Sequence, residues 1–165
     1  MSEYQNRTFD WGLWFLWMMA TTVGWLLGRF LLPNLSVVTI GLAIGILQAF
    51  VLREEVQQPL RWILATTIGW AVPGLLLLFA NPIGTDFLNG LLVGVSMGVA
   101  QWLILRQEVR WAGWWIIMNI IAWTTGFALL PGILLTGVMA GLITATALGL
   151  LLMNRKPVNK NLVEH

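Results

Sequence analysis

The sequence consists largely of long apolar runs, separated by short segments that carry charges, proline or glycine. They cover residues 11–32, 37–52, 62–80, 87–105, 111–130 and 132–153. Their lengths of 16 to 22 residues match the roughly 20 residues that an α-helix needs to cross about 30 Å of hydrocarbon. We therefore predict an all-α, polytopic membrane protein with six transmembrane helices.

The composition excludes a water-soluble fold. Of the 165 residues, 58% are hydrophobic and 10% are charged, and the mean hydropathy is +0.80. The 9 Lys and Arg and 7 Asp and Glu are too few to cover a soluble surface, so most of the surface must face lipid or another protein. A net charge of +2 is too small to favour nucleic acid. We expect the lipid bilayer as surroundings, with a membrane protein or a second copy of the chain as partner.

The basic residues predict the orientation, because Lys and Arg near the ends of membrane helices accumulate on the cytoplasmic side. One side holds all of them except Arg29: Arg7, Arg53, Arg61, Arg106, Arg110, Arg155, Lys156 and Lys160. We therefore expect both the N-terminal segment 1–10 and the polar tail 154–165 in the cytoplasm, with the first run as an uncleaved anchor. Arg29 lies near the other end of its run, where it can reach the headgroups or, alternatively, contact an anion or Asp86.

The link between the last two runs, Leu130-Pro131-Gly132, allows two interpretations. Proline can kink a helix that continues beyond it, and it can also accompany a tight turn between two helices. A single helix over residues 111–153 would be twice as long as one membrane span. We therefore predict a helical hairpin, with a kinked continuous helix as the alternative.

The odd-numbered and the even-numbered runs each contain repeated residues. Trp17, Ala20, Thr21, Thr22, Gly24 and Trp25 recur as Trp62, Ala65, Thr66, Thr67, Gly69 and Trp70, and a looser third copy has Trp115 and Trp123. Gly41, Gly45, Gln48 and Arg53 recur as Gly94, Gly98, Gln101 and Arg106, while the third copy has Gly137, Gly141, Thr144 and Gly149. These matches predict three parallel two-helix repeats, about residues 11–53, 62–106 and 111–153, around an axis along the membrane normal.

The glycines and the glutamine of each even run lie on one helix face, because positions 0, 4 and 7 fall close together around a helix. Gly41, Gly45 and Gln48 form one such stripe. Small residues four apart let two helices approach closely, and a glutamine beside them can bond to a neighbouring helix. We therefore interpret the stripes as packing faces. Alternatively, Gln48 and Gln101 face a cavity and contact a ligand.

The 11 Trp residues are unevenly distributed. Eight fall toward the cytoplasmic ends of the runs, and three lie eight residues deeper in the odd runs: Trp25, Trp70 and Trp123. Eight residues advance about 12 Å, which is too deep for anchoring at the headgroups. We expect these three side chains to pack against other helices. The alternative is an apolar ligand between them, such as a carotenoid, a quinone or a lipid tail.

Two short strings carry a resemblance to a family. Gln101-Trp102-Leu103-Ile104-Leu105-Arg106 and Gly113-Trp114-Trp115 resemble the Q-W-L-x-L-R and G-W-W motifs that recur in a family of bacterial integral membrane proteins, frequent in cyanobacteria. The first repeat departs from the motif, with Ala49-Phe50 in place of Trp-Leu. The resemblance implies a bacterial inner membrane or a thylakoid-type membrane, and it brings no activity or binding residue with it.

The predicted spans offer little material for catalysis. They contain no His, Cys, Lys, Asp or Glu, and the one histidine of the chain is His165. No acid–base pair can form within them, so we expect no enzymatic activity. The leading hypothesis is a membrane subunit or scaffold that binds an apolar cofactor or lipid of unknown identity through Trp25, Trp70, Trp123, Gln48 and Gln101. The alternative is a solute-binding component of a transporter, with Gln48, Gln101, Asn89 and Asn119 lining a cavity.

Overall fold

The computed structural model describes residues 8–80, 86–129 and 132–155, and in these residues the chain is helical. The helices are α1 (Trp11–Phe30), α2 (Ser36–Val51), α3 (Pro59–Ala80), α4 (Asp86–Glu108), α5 (Gly113–Ala128) and α6 (Ile133–Leu152), with a 3-10 turn at Pro33–Leu35. The all-α prediction is confirmed, and each helix begins and ends within three residues of its predicted run. Arg7, Lys156, Lys160, His165 and most of the two predicted terminal segments lie outside the described residues.

Five segments of the described chain are long and apolar enough to cross a membrane. They are Trp11–Phe30, Pro33–Val51, Pro59–Leu77, Asp86–Glu108 and Ile133–Leu152. The helix outside this set, α5, has 16 residues, which corresponds to about 24 Å at 1.5 Å per residue.

Local signals in the sequence explain several helix ends. The side chain of Asp10 accepts a hydrogen bond from the backbone N–H of Leu13 at 2.9 Å and so caps the start of α1. Pro59 is the first residue of α3, where its missing N–H costs nothing. Gly132 precedes α6 with φ +131°, a conformation that glycine tolerates and other residues rarely adopt.

The helices form a closed ring. Among the described residues, each helix packs against the helices before and after it in the chain, and α6 packs back against α1. Glycines bring the backbones together at these contacts. A Cβ on Gly90, Gly94 or Gly98 of α4 would lie 2.5 to 2.9 Å from the Cα of Thr124, Ile120 or Ile116 of α5, respectively. Residue numbers that rise on one helix and fall on the other show that neighbouring helices are antiparallel.

Helices α5 and α6 form the hairpin that the sequence predicts. The hydroxyl of Thr136 donates to the backbone carbonyl of Gly126 at 2.9 Å. In one continuous helix these residues would be separated by about 15 Å, ten residues at 1.5 Å each. The alternative of a kinked continuous helix is therefore excluded, although Leu130 and Pro131 of the link lie outside the described residues.

The antiparallel arrangement places Arg53, Arg61, Arg106, Arg110 and Arg155 at one end of the ring, which we call the basic end. Residues of three different segments join there. Arg155, after α6, forms an ion pair with Glu55 of the α2–α3 link at 2.8 Å and a β-bridge with Val109 of the α4–α5 link. At the other end of α1, Arg29 is exposed in the last turn.

Candidate functional site

The interior of the ring near the basic end is filled by three tryptophans, one from each odd-numbered helix. Trp17, Trp62 and Trp115 are each 0% exposed. Their ring centroids are 5.7, 5.9 and 6.3 Å apart, with interplanar angles of 60 to 74°. Trp17 contacts the other two rings edge to face, which is favourable at these distances, and the Trp62–Trp115 pair is tilted. We call these three residues the basic-end cluster.

Each indole N–H of the basic-end cluster donates to a side chain of an even-numbered helix. Trp62 bonds to Oε1 of Gln48 at 3.1 Å and Trp115 to Oε1 of Gln101 at 3.0 Å. Trp17 bonds to Oγ1 of Thr144 at 3.0 Å. The three acceptors are the corresponding positions of the predicted repeat, so the two glutamines and the threonine have the same role in the ring.

The two glutamines also bond in the other direction around the ring. Nε2 of Gln48 donates to Oγ1 of Thr21 at 3.0 Å, and Nε2 of Gln101 donates to Oγ1 of Thr66 at 2.9 Å. Each glutamine thereby joins the helix before its own to the helix after it. The amides also meet each other, because Nε2 of Gln101 lies 3.3 Å from Oε1 of Gln48. Buried polar groups that are hydrogen-bonded in this way favour one particular set of helix neighbours.

The third copy arranges its polar groups differently. Thr144 stands where the other copies have glutamine, and its hydroxyl donates to the carbonyl of Ala140 at 2.7 Å. Asn119 stands where they have Thr21 and Thr66, and its amide donates to the carbonyl of Trp115 at 3.0 Å. In this predicted copy the amide is therefore on the odd-numbered helix, whereas in the other two it is on the even-numbered helix. Both side chains are buried.

Farther from the basic end, Trp25, Trp70 and Trp123 also meet in the interior. Their ring centroids are 5.4, 6.0 and 5.1 Å apart, and Phe127 lies within 6.4 Å of all three rings. These four residues form the second cluster. The indole of Trp25 donates to the backbone carbonyl of Ile133 at 2.7 Å. Nε1 of Trp123 is buried and has no hydrogen-bond partner in the described structure.

All five residues predicted to bind a cofactor lie in the interior, but in two separate groups. Gln48 and Gln101 belong to the hydrogen bonds of the basic-end cluster, and Trp25, Trp70 and Trp123 belong to the second cluster. The three rings contact one another, and the two glutamines bond to side chains of neighbouring helices, as expected if these residues pack the helices together. Binding of an apolar cofactor by these residues stays a prediction.

Sequence reasoning did not assign the basic-end cluster to the interior. All tryptophans near the cytoplasmic ends were treated as one group. In the structure Trp17, Trp62 and Trp115 are fully buried, whereas Trp11, Trp111 and Trp114 are exposed. The signal was present, since Trp17, Trp62 and Trp115 open the repeated motif. Phe127 was missed too, and it has no counterpart in the repeat: Arg29 and Gly74 stand at the corresponding positions.

The polar residues of the transporter hypothesis are placed as follows. Gln48, Gln101 and Asn119 are buried with hydrogen-bond partners, and Asn89 is half-buried near the start of α4. Among the described residues, Arg29 forms no ion pair with Asp86.

No protein-family model, curated protein or solved structure matches this chain.

Proposed function

We propose that this chain is an integral membrane subunit or scaffold that acts through its outer surface and not through a path inside the ring. The observation that carries the proposal is the interior of the ring, which holds two clusters of aromatic side chains at different depths. The glutamines between the helices bond there to tryptophan and threonine. A solute that crossed this interior would have to displace both clusters. The exposed side chains are mostly apolar, as a surface in contact with lipid and a partner protein requires.

The proposal includes six membrane spans and three parallel two-helix repeats, with the basic end in the cytoplasm. Three of the glycine contacts support the repeat. A Cβ on Gly45, Gly98 or Gly141 would lie closest to Ile63, Ile116 and Met18, respectively. These three contacted residues each follow the tryptophan that opens one copy of the motif. The sixth span is α5, which reaches across the hydrocarbon together with the turns at its two ends.

The topology is tested by labelling single cysteines, because the chain has 0 Cys. The positions are Asn34 after α1, Gln107 at the end of α4 and Leu129 after α5, all exposed. A membrane-impermeant maleimide should label Asn34→Cys and Leu129→Cys from outside intact cells, and Gln107→Cys only after the membrane is opened. Labelling of Leu129→Cys and Gln107→Cys from the same side would show that α5 does not span the membrane.

The subunit hypothesis is tested by gentle detergent extraction of the tagged chain from its native membrane, followed by mass spectrometry. A membrane protein recovered in stoichiometric amount supports the proposal. Loss of this partner after Trp114→Ala, which changes an exposed side chain, but not after Met97→Leu, which changes a buried one at conserved volume, would place the interface on the outer surface. Recovery of ATPase subunits together with the chain would favour the transporter component instead, and recovery of the chain alone would contradict a stable partner.

A further inference from the structure

A groove of about 360 Å³ opens at the basic end between the start of α1 and the end of α2. Its apolar wall includes Leu16 and Phe50, which are 54% and 66% exposed. Its rim includes Asp10, Arg53 and Glu54. The groove is therefore amphipathic, with charges of both signs above an apolar floor.

The charged groups of the rim are held in place but remain accessible. The guanidinium of Arg53 lies 4.7 Å from the centroid of the Phe50 ring, a cation–π contact that fixes its direction. Its Nε is 3.7 Å from Oε1 of Glu54, and the two side chains are 59% and 80% exposed. A guanidinium in this setting still has donors for a phosphate, because its planar fork carries five N–H groups.

Among the described residues that line the groove, the carboxylates outnumber the guanidinium of Arg53, and this decides which headgroup the groove fits. Arg53 attracts a phosphate, while Asp10 and Glu54 repel an additional negative charge. The third carboxylate of the lining, Glu55, is paired with Arg155. A headgroup with both a phosphate and a primary ammonium satisfies both signs, since the ammonium can donate charge-assisted hydrogen bonds to the carboxylates.

We propose that this groove binds a zwitterionic aminophospholipid, with its phosphate on Arg53, its ammonium near Glu54 and Asp10, and an acyl chain along Leu16 and Phe50. The inference rests on the proposed membrane orientation, which puts the basic end at the level of the cytoplasmic headgroups. The site would make the protein sensitive to the lipid composition of one leaflet.

The test is native mass spectrometry of the full-length, delipidated protein. It is mixed in turn with phosphatidylethanolamine, phosphatidylglycerol and phosphatidylcholine that carry identical acyl chains. We expect phosphatidylethanolamine to bind about tenfold more tightly than the other two, the effect of one charge-assisted hydrogen bond. Equal binding of all three lipids, or a preference for phosphatidylglycerol, would overturn the proposal. Dimers that exclude lipid from the groove would also overturn it.

Variants of the rim assign the selectivity to individual charges. Arg53→Gln should weaken the binding of all three lipids, because each of them carries the phosphate. Glu54→Lys should shift the preference from phosphatidylethanolamine toward the anionic phosphatidylglycerol. Asp10→Asn removes a charge and keeps a good helix cap, so a weaker preference for phosphatidylethanolamine in this variant cannot be attributed to loss of α1. If Glu54→Lys leaves the order of the three lipids unchanged, the rim does not select the headgroup.

A second pair of variants tests the groove itself. Leu16→Trp fills the apolar wall, whereas Leu27→Trp makes the same change on an exposed position near the other end of α1. Lipid binding should fall about tenfold in the first variant only, the effect of losing about 60 Å² of apolar contact with the acyl chain. Equal loss in both variants would contradict a site in this groove. Failure of the lipid site leaves the maleimide labelling pattern unchanged, whereas failure of the proposed topology changes that pattern before any lipid is added.

Discussion

The two aromatic clusters in the interior have similar ring spacings, but their indole N–H groups differ. In the basic-end cluster every indole bonds to a side chain from a neighbouring helix. In the second cluster Trp25 bonds to a backbone carbonyl, and Nε1 of Trp123 has no partner in the described residues. Side-chain hydrogen bonds as well as ring packing therefore hold the basic-end cluster in position. The second cluster is held mainly by ring packing, to which Phe127 contributes.

This difference indicates where the order of the helices is determined. In a membrane, moving an apolar side chain from lipid into the protein interior gains little free energy. Helix association therefore depends on close packing and on hydrogen bonds between helices. Gln48 and Gln101 supply such bonds to three different helices each. We infer that the basic-end cluster sets which helices are neighbours and that the second cluster fills the space that remains.

The largest effect is expected from breaking the backbone contact beside the basic-end cluster. A Cβ on Gly98 would lie 2.9 Å from the Cα of Ile116, so Gly98→Leu must separate α4 from α5 and with them Gln101 from Trp115. We expect a loss of more than about 3 kcal/mol in the free energy of unfolding in mixed detergent micelles. Gly113→Leu is the control, because a Cβ on Gly113 meets nothing within 4 Å. Equal destabilisation by both changes would contradict this contact.

The next effect is expected from removing the amide of Gln101 while keeping its volume. Gln101→Met leaves the N–H of Trp115 and the hydroxyl of Thr66 without this partner, at about 1 to 3 kcal/mol for each buried group left unbonded. Met97→Leu, about one turn away on α4 and next to the second cluster, should cost less than about 1.5 kcal/mol because the volume is conserved. The same unfolding titration compares the two variants. A larger loss of unfolding free energy for Met97→Leu would contradict the inference that the basic-end cluster determines which helices are neighbours.

A direct comparison of the clusters uses the same substitution in both. Trp115→Phe and Trp123→Phe remove similar volumes from side chains that are 0% and 1% exposed. The first also removes the hydrogen bond to Gln101, so it should cost about 1 to 3 kcal/mol more than the second. Equal losses of unfolding free energy would show that hydrogen bonding does not distinguish the clusters.

The smallest change in stability is expected from exchanging the polar residues of the third predicted copy, Asn119 and Thr144. Asn119→Thr and Thr144→Gln each create a combination absent from the other copies, whereas the double variant restores the pair that Thr66 and Gln101 form. We expect the double variant to be more stable than the sum of the single changes predicts, by about 1 kcal/mol. Strict additivity in a double-mutant cycle would indicate that the two positions do not interact.

Much of this architecture could be predicted from the sequence, because hydrophobic length determines where helices form and repeated glycines determine where their backbones meet. The facing of the tryptophans could not be predicted in full. Hydropathy does not distinguish a side chain that faces lipid from one that faces the interior. The sequence alone therefore could not show that Trp17 is buried and Trp11 exposed. Phe127 could not be foreseen either, since the repeat places Arg29 and Gly74 at its position.

The water accessibility of one interior position shows whether the interior of the ring is closed and packed. Thr66 is 0% exposed and bonds to Gln101, and Thr66→Cys changes its volume little. In native membranes a small, charged thiol reagent applied to both sides should leave Thr66→Cys unlabelled while it labels Asn34→Cys fully. Rapid labelling of Thr66→Cys would show that water enters the ring, and would favour a solute pathway over the scaffold that we propose.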